Sequence, residues 1–540
     1  METQPVSFSD GRYRLPEYAF RVPPEIVEGA ATRHPVAIVG AGLTGLTAAC
    51  ALADLGIDVV LLDEDSTVGA RGASSRGVCY SQKSLEIFAR LGIYRRLHEK
   101  GVSWSVGRSF AGDEQIYHFD LAADRQANSS AQPSFINLQQ FYVESFLVER
   151  ATQLPNLDIR WQSRVVGCEQ DGDGAHLQVQ TPAGEYLLHA EWVVDCSGSR
   201  SSLRADALAQ SARTDDRWLI CDVFFEDPPP HERRTWISAP FNEGRAAWQH
   251  VMADGVCRVD YQLDPHCDLE HAASDTAIRE RLRLQFGREA SFKVVWVGAW
   301  TYRSECLATF RLRRVLYAGD AAHVMSPFGG RGGNSGIQDA DNLAWKLAMV
   351  LGGKADAALV DTYCEERRPA ALENIRVSDR TTRFLRPPTP AERSYRDAVV
   401  ALARRHEFAQ SLVNTGRMTL PSTYARSRLN VGRGCGRSIP NISLTLADGT
   451  PGNLAQLLRW ANGNYIAIVR DPTERHRALQ RRFPVRILDA DKLRADFAAL
   501  ADSGNTDATI IIRPDSYLAG CLESGDAVTL EDALRRLSCR

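Results

Sequence analysis

The chain is expected to be an α/β protein with an α+β insert, and two separated segments carry that expectation. Residues 36–63 run as an apolar strand, the spacing Gly40-x-Gly42-x-x-Gly45, an amphipathic helix, and a second apolar strand ending on Asp63. Residues 319–334 read GDAAHVMSPFGGRGGN and lead into the clearest helical pattern of the sequence. Between them, residues 217–310 read mostly as strands. Apolar strands alternating with helical periodicity mark an α/β domain, and strands grouped inside it mark an inserted sheet.

The first segment is Rossmann-like. A pyrophosphate needs close approach of backbone N–H groups, which a β-carbon would block, and the helix N-terminus adds the positive end of its dipole. Asp63 stands 23 residues after Gly40, at the tip of Val59-Val60-Leu61-Leu62, where a carboxylate can accept hydrogen bonds from ribose hydroxyls. Val36–Ala53 is also 18 residues without a charge, the length of a membrane span. Its three glycines together with Thr44, Thr47 and Cys50 argue for the nucleotide unit instead. No basic run followed by a short apolar core opens the sequence, so no secretory signal is expected.

Composition narrows the classes further. A chain of 540 residues exceeds one hydrophobic core, so two or three domains are expected. The apolar fraction of 44% and charged fraction of 24% are those of a soluble globular protein. Net charge is −3, with no polybasic tail, which excludes nucleic acid and anionic membranes as expected partners. The 12 cysteines are scattered, without Cys-x-x-Cys or metal-ligand spacing. They read as reduced thiols of a cytoplasmic protein, and no metal is expected.

Residues 1–34 are polar and proline-bearing and read as an irregular arm. Ser81–Leu97 has helical periodicity through Leu85, Phe88, Leu91 and Ile93, and Leu138–Ala151 is a second helix. From Asp158 to Val194 the period becomes two, with a turn at Pro182-Ala183-Gly184. Arg258–Leu263 alternates, placing Val259, Tyr261 and Leu263 on one face and Arg258, Asp260 and Gln262 on the other. Asn334–Val350 reads as a helix capped by Asn334 or Ser335 and stopped by Gly352-Gly353. Residues 361–430 continue as charged helices interrupted by Pro387, Pro388 and Pro390. After about 431 a small domain starts, with strands in NYIAIVRD, FPVRIL and ATIIIRPDSYLAG, and helices at Arg475–Phe483, Asp491–Ala501 and Leu530–Leu537. The expected division is an arm over 1–34, a discontinuous nucleotide-binding domain over 35–210 and 296–375, a substrate-binding antiparallel sheet over 211–295, a helical connector over 376–430, and a terminal domain over 431–540.

Three segments together resemble the class A, single-component FAD-dependent aromatic monooxygenases, of the phenol, 3-(3-hydroxyphenyl)propionate and hydroxybenzoate hydroxylase branch. They are GAGLTG with Asp63, VVDCSGSRSSLR (Val193–Arg204), and the long LYAGDAAHVMSPFGGRGGNSGIQDADNLAWKL. The resemblance covers roughly residues 35–430, and the tail is similar to the thioredoxin-like domain of the longer members. It implies non-covalent FAD, held at its diphosphate and ribose by Gly40, Gly42, Gly45 and Asp63. Arg76 would contact the pyrophosphate, Gln140 the ribityl region and Asp320 a ribityl hydroxyl. Pro327 would lie beside the isoalloxazine, and Gly332, Gly333 and Asn334 would face its N1–C2=O edge. A glycine-rich helix N-terminus is in addition a preorganised anion site, apt for a reduced flavin. Ser197 stands where the family has an aspartate associated with FAD and nicotinamide, and Asp195 lies two residues earlier. The tail lacks Cys-x-x-Cys, so packing or dimerisation is its expected role rather than disulfide exchange.

The implied reaction consumes NADH or NADPH and O₂ and hydroxylates a small phenolic or aromatic substrate through a flavin C4a-hydroperoxide, as in aromatic catabolism. The candidates for substrate and catalysis follow from position. Tyr302 and Arg303 lie on the strand approaching the GDAAH turn, with Tyr302 the candidate catalytic residue. His250, Gln262, Trp236 and Trp248 lie on the expected substrate sheet. Each also has a plainer reading, as core tyrosine, satisfied histidine or packing tryptophan, and His323 reads as structural support. Two rival readings share the fold: oxidation of a polyketide, antibiotic or N-heteroaromatic, and an FAD-binding protein without hydroxylase activity. A halogenase is disfavoured by the lack of a Gly-Trp-x-Trp-x-Ile-Pro stretch. A homodimer is among the expected assemblies.

Overall fold

Strand Arg33–Val39 occupies the centre of the first sheet of the computed structural model. It is hydrogen-bonded in parallel to Val59–Leu62 on one side and to Gly184–Asp195 on the other. Leu157–Arg160 and Val315–Tyr317 extend the parallel set outward. Val36, Ala37, Ile38, Val60, Leu61 and Leu62 are fully buried, as strands covered on both faces must be. Arg164–Gln170 and Ala175–Thr181 close the sheet as an antiparallel meander. The structure describes residues 7–9, 13, 15–29, 32–69, 77, 79–121, 130–204, 209–413, 418–432, 434–445, 450–495, 508–523 and 526–539.

The second sheet has nine strands and carries the insert. Its long central pair, Ala209–Phe225 and Phe292–Leu307, is antiparallel, followed outward by Val256–Gln262, Arg245–Val251 and Arg233–Ala239. The sheet reaches beyond 211–295. Val106–Ala111 and Glu114–Asp120 form its far edge, and Phe292–Leu307 runs past the expected boundary. Glu114–Asp120, the edge strand, has one unpaired flank and mostly exposed or half-buried side chains, so little apolar pattern marks it. The alternation at Arg258–Leu263 is realised: Val259, Tyr261 and Leu263 pack with Ile278 and Leu282 of helix Asp275–Phe286.

Several expectations are corrected. The N-terminal arm is ordered locally rather than irregular. Ser7–Ser9 pairs with the 292–307 strand, and Pro24–Glu28 is helical. Buried Glu25 takes hydrogen bonds from Arg160 Nη1 at 2.8 Å and His34 Nε2 at 3.1 Å, and Tyr18 stacks on Trp161 at 4.4 Å. The nucleotide strand begins at Arg33, two residues before the expected boundary. Ser81–Leu97 divides into helices Gln82–Arg90 and Tyr94–Lys100, broken at Gly92, whose φ is +84°. No break falls at 375–376: helix Ala358–Leu385 runs through with Pro369 inside it, and Pro390–Ala403 and Glu407–Gln410 follow.

In the tail, Tyr465–Val469 and Val485–Asp489 are parallel, and Thr509–Ile512 and Leu518–Leu522 add antiparallel, with Val431–Gly432 at the edge. Helices Glu474–Leu479 and Ala527–Leu537 complete the β-α-β, β-β-α order of a thioredoxin-like unit. Helix Leu454–Ala461, closed by an Asn453–Gln456 capping box, went unread in the sequence. Where a helix was expected from Asp491, Ala490–Lys492 is a single 3₁₀ turn and Arg494–Ala495 a strand; residues 496–501 lie outside the described residues.

Candidate cofactor site and substrate face

The nucleotide loop is built by steric necessity. Gly40 has φ +101°, and a β-carbon there would sit 2.6 Å from Cys196 O; one on Gly45 would overlap the Gly40 carbonyl. Gly42 is the N-cap of helix Leu43–Asp54, and its open side meets only Glu144 Oε1, 3.9 Å from an ideal β-carbon. Asp63 accepts from Ala41 N at 2.5 Å and Asp65 N at 2.9 Å, so its carboxylate sits against the glycine loop. Gln140, first residue of helix Gln140–Ala151, accepts from Gly77 N at 2.9 Å and donates to Glu144 at 2.7 Å. Arg76 lies outside the described residues.

The distant second motif meets this loop at one side chain. β-Carbons on Gly319 and Gly336 would each collide with Thr44, in the first turn of the nucleotide helix. Gly319, at φ +60°, opens the 3₁₀ turn Gly319–Ala321 and leaves Asp320 exposed. Behind the turn, buried Asp339 accepts from Gly319 N at 3.1 Å, His323 Nε2 at 2.7 Å and Arg367 Nε at 2.6 Å. Burial pushes the Asp339 carboxyl up, but Arg367 and His323 outweigh it and bring its pKa down to about 2.

Half-buried Pro327 begins the next turn, accepting from Gly330 N at 2.9 Å. Helix Arg331–Leu351 then starts with Gly330 (φ +65°) as its N-cap, so neither Asn334 nor Ser335 is the cap. The positive φ values of Gly329 and Gly330 bring the chain into the helix three residues early. Asn334 is committed to another task. Its Oδ1 accepts from Ser81 N (2.9 Å), Ser81 Oγ (3.0 Å) and Ser84 Oγ (2.6 Å), and its Nδ2 donates to Cys79 O (2.7 Å) and Gly330 O (2.5 Å). Asn334 therefore braces the cradle from inside. Gly332 has nothing within 4 Å of an ideal β-carbon, and Gly333 has only Leu43 Cδ2 at 3.4 Å. These bare positions at a helix N-terminus, the Gly40–Gly45 loop and exposed Asp320 form a cradle that fits a dinucleotide carrying a planar, electron-rich ring.

Phe328 joins the cradle to the second sheet. It packs edge-on against Trp248 (4.5 Å) and Trp218 (5.4 Å), and Tyr302 lies 6.2 Å away. Polar side chains share this buried face. Arg258 Nε meets Asp260 at 2.7 Å, and Arg233 lies over the Trp248 ring at 5.0 Å. His250 Nδ1 is 3.9 Å from Cys79 Sγ. Burial first, then Arg233 and Arg258, hold the His250 pKa well below its usual value. Gln262 turns inward, donating to Asp216 at 2.9 Å, which also accepts from Trp218 Nε1 at 2.9 Å; it thus steadies a tryptophan wall. Burial, reinforced by Asp260, raises the Tyr302 pKa well above the tyrosine range, which keeps the phenol protonated. Trp236 is not on this face. Alternation along Arg233–Ala239 turns it to the opposite side, where it stacks on Phe110 at 5.2 Å and meets Phe241. Arg303 bonds Ser199 O at 3.1 Å, at the first-sheet end of its strand.

The Val193–Arg204 loop spends its acid internally. Buried Asp195 accepts from Ser197 N (3.0 Å), Ser197 Oγ (2.6 Å) and Ser201 Oγ (2.5 Å), shaping the turn whose Cys196 carbonyl abuts Gly40. The site roles of Thr44, Trp218, Phe328, Asp339 and Arg367 are not evident from the sequence alone. Phe328 and Thr44 adjoin the glycine motifs, a usable signal; Arg367, on a distant charged helix, offers none. Among the described residues, no His/Cys/Asp/Glu group could hold a metal, and no helix is long and apolar enough to cross a membrane.

Comparison with known proteins agrees with this geometry. A family model described as FAD binding domain matches residues 33–378, and the chain belongs to that family. The 3-(3-hydroxy-phenyl)propionate/3-hydroxycinnamic acid hydroxylase of Mycolicibacterium smegmatis is 29% identical over 367 residues, 68% of this chain. The chain spans 64% of that relative's length. The flavin-dependent monooxygenase PieE, solved in complex with FAD and substrate, shares the fold with a TM-score of 0.80 at 20% identity, over 94% of this chain and 100% of that one. p-Nitrophenol 4-monooxygenase PnpA from Pseudomonas putida DLL-E4 is 26% identical, with a TM-score of 0.60, over 72% of this chain and 100% of that one.

Proposed function

We propose that the protein is an FAD-dependent, NAD(P)H-consuming monooxygenase that hydroxylates a phenolic ring. The observation that carries this reading is the meeting of the two glycine motifs on Thr44, with the Phe328–Trp248–Trp218 aromatic cluster directly beside the joint cradle. The family membership and the phenolic substrates named for the relatives support it.

In this reading Gly40, Gly42, Gly45 and Asp63 hold the nucleotide half of FAD and Asp320 a ribityl hydroxyl. Pro327, Gly332 and Gly333 border the ring, while Gln140 supports the Gly77 segment and Asn334 fixes the glycine-bearing turn. Bound FAD supplies acceptance of a hydride from NAD(P)H and activation of O₂. The balanced outcome is aromatic C–H, O₂, NAD(P)H and a proton giving aromatic C–OH, water and NAD(P)⁺.

The chain's own task is to orient the ring and exclude water from it. Trp248, Trp218 and Phe328 supply apolar walls. Tyr302, which keeps its proton, serves as a hydrogen-bond donor to the substrate oxygen rather than as a base. His250 stays neutral and presents the polar edge of the pocket. The cytoplasm supplies NAD(P)H and keeps the cysteines reduced, and all 12 are free thiols here.

The test is rapid-mixing reduction of the flavin by NADH and by NADPH across a panel of phenols. An effective phenol is expected to accelerate reduction and to yield hydroxylated product in step with NAD(P)H consumed. FAD-loaded protein that responds to none of the panel overturns the reading.

A further inference from the structure

The hairpin joining Thr509–Ile512 to Leu518–Leu522 has a tip that reaches into the protein. Arg513 is 0% exposed, Asp515 1%, Ser516 6% and Tyr517 2%. A tight turn shapes it: Ser516, at φ +58°, donates its N–H to Arg513 O at 3.0 Å. Loops normally lie in water because their polar groups need partners. Here protein groups supply them.

Arg513 forks onto Glu366 (2.6 and 2.8 Å) and onto Asp515 (2.9 and 2.6 Å), and Lys346 reaches Glu366 at 2.7 Å. Asn342 donates to Glu366 at 2.8 Å and to Asp515 at 3.2 Å. On the other side, Lys83 donates to Asp515 O at 2.8 Å and Ser516 Oγ at 2.5 Å, and Arg90 donates to Pro514 O at 2.5 Å. Buried ion networks add little net stability, because desolvation offsets much of the attraction. What this one supplies is position.

Lys83, Ser84 and Arg90 belong to helix Gln82–Arg90, and Asn334, Asn342 and Lys346 to helix Arg331–Leu351. Asn334 and Ser84 tie these helices together once, beside Gly332 and Gly333. Arg90 ties the pair again through its ion pair with Asp341, and the hairpin tip braces that second junction, at Lys83 and Arg90 on one helix and at Asn342 on the other. Asn342 stands eight residues beyond Asn334, about 12 Å along the axis. Two rods joined at one point can swing about it; a second junction fixes their angle.

We propose that the 513–517 hairpin tip is a positioning element for the bound isoalloxazine, with Lys83 and Arg513 as its positioning residues. By bracing the Arg90–Asp341 junction it holds the angle between the two helices, and with it the place where the Gly332 and Gly333 amides present themselves. The tail domain is then part of the cofactor site's scaffold. The inference rests on the FAD reading above and goes beyond it.

The test uses the full-length holoprotein. Lys83→Met keeps the buried stem, removes two of this helix's three ties to the tip, leaving that of Arg90, and leaves the Arg513–Glu366–Asp515–Lys346 cluster intact. Arg513→Lys keeps the charge but gives up the fork. Both are expected to weaken FAD binding by roughly 10-fold, a coupling of the size seen between residues of one network. They should also alter the visible circular dichroism of the bound flavin. Arg482→Met, which breaks an exposed pair with Glu531 elsewhere in the tail, should change neither. FAD affinity within about twofold of wild type and an unchanged dichroism in both Lys83→Met and Arg513→Lys overturn the proposal. Wild-type protein that takes up no FAD overturns the cofactor reading itself.

Discussion

Gly336 lies so close to Thr44 that a β-carbon on the glycine would overlap the threonine hydroxyl. This contact welds the first turn of helix Leu43–Asp54 to the second turn of helix Arg331–Leu351, nearly three hundred residues away in sequence. Overpacking at such a point costs about 1–3 kcal/mol. Gly336→Ala is therefore expected to lower FAD affinity by roughly 5- to 150-fold, with the fold retained. Flavin absorbance per mole of purified protein, alongside far-ultraviolet circular dichroism, checks it.

Asp320 is exposed at the Gly319–Ala321 turn, within the cradle. Loss of the hydrogen bond that its carboxylate would accept from a ribityl hydroxyl costs about 1.5–3 kcal/mol. Asp320→Ala should purify largely as apoprotein. Full flavin content in that variant removes the residue from the site.

Asp339 sets a pH dependence with a definite sign. Its folded pKa of about 2 lies below the ~3.9 of an unfolded aspartate. Its ionised form therefore stabilises the fold above ~3.9, by about 2–3 kcal/mol, and this contribution is lost as pH falls toward 2. Denaturant unfolding of wild type and Asp339→Asn should show the largest gap at pH 5–7 and a shrinking one from about pH 4 down to pH 2. A gap constant across that range would show that Arg367 and His323 do not hold the carboxylate as described.

Trp248 and Trp236 provide a paired comparison across one sheet. Trp248 packs on Phe328, whereas Trp236 packs on Phe110 and Phe241 on the reverse face. Truncating either buried ring to alanine should cost about 3–5 kcal/mol of stability. Only Trp248→Ala should also raise the KM for the phenol and release H₂O₂ in place of product. Steady-state kinetics with peroxide detection separates the two; equal effects on KM would place Trp236 in the site after all.

Local rules made much of this legible. The Gly40–Gly45 loop and the Val59–Leu62 strand were readable because close phosphate approach and buried parallel strands leave few residue choices. The alternation at Arg258–Leu263 likewise showed which side chains share a face, although both faces are buried. Trp236 was misplaced because its strand, Arg233–Ala239, is buried on both faces and offers no alternation to read. Asn334 looked like a helix cap because its residue type favours caps, yet its partners Cys79, Ser81 and Ser84 come from a distant segment. The Arg513 cluster was invisible for the same reason: a charge reads as solvent-facing until the tertiary fold supplies its counter-ions.

The brace at Asn334 has a consequence for biogenesis. Ser81 precedes it by 253 positions, and a ribosome adding about 5–20 residues per second needs roughly 13–50 s to bridge that interval. Throughout it the nascent Rossmann half carries Ser81 and Ser84 without their amide partner, and Thr44 without the glycines that press on it. The coenzyme grip is thus completed late in translation, and a chain stalled before residue 334 has nothing to close it with.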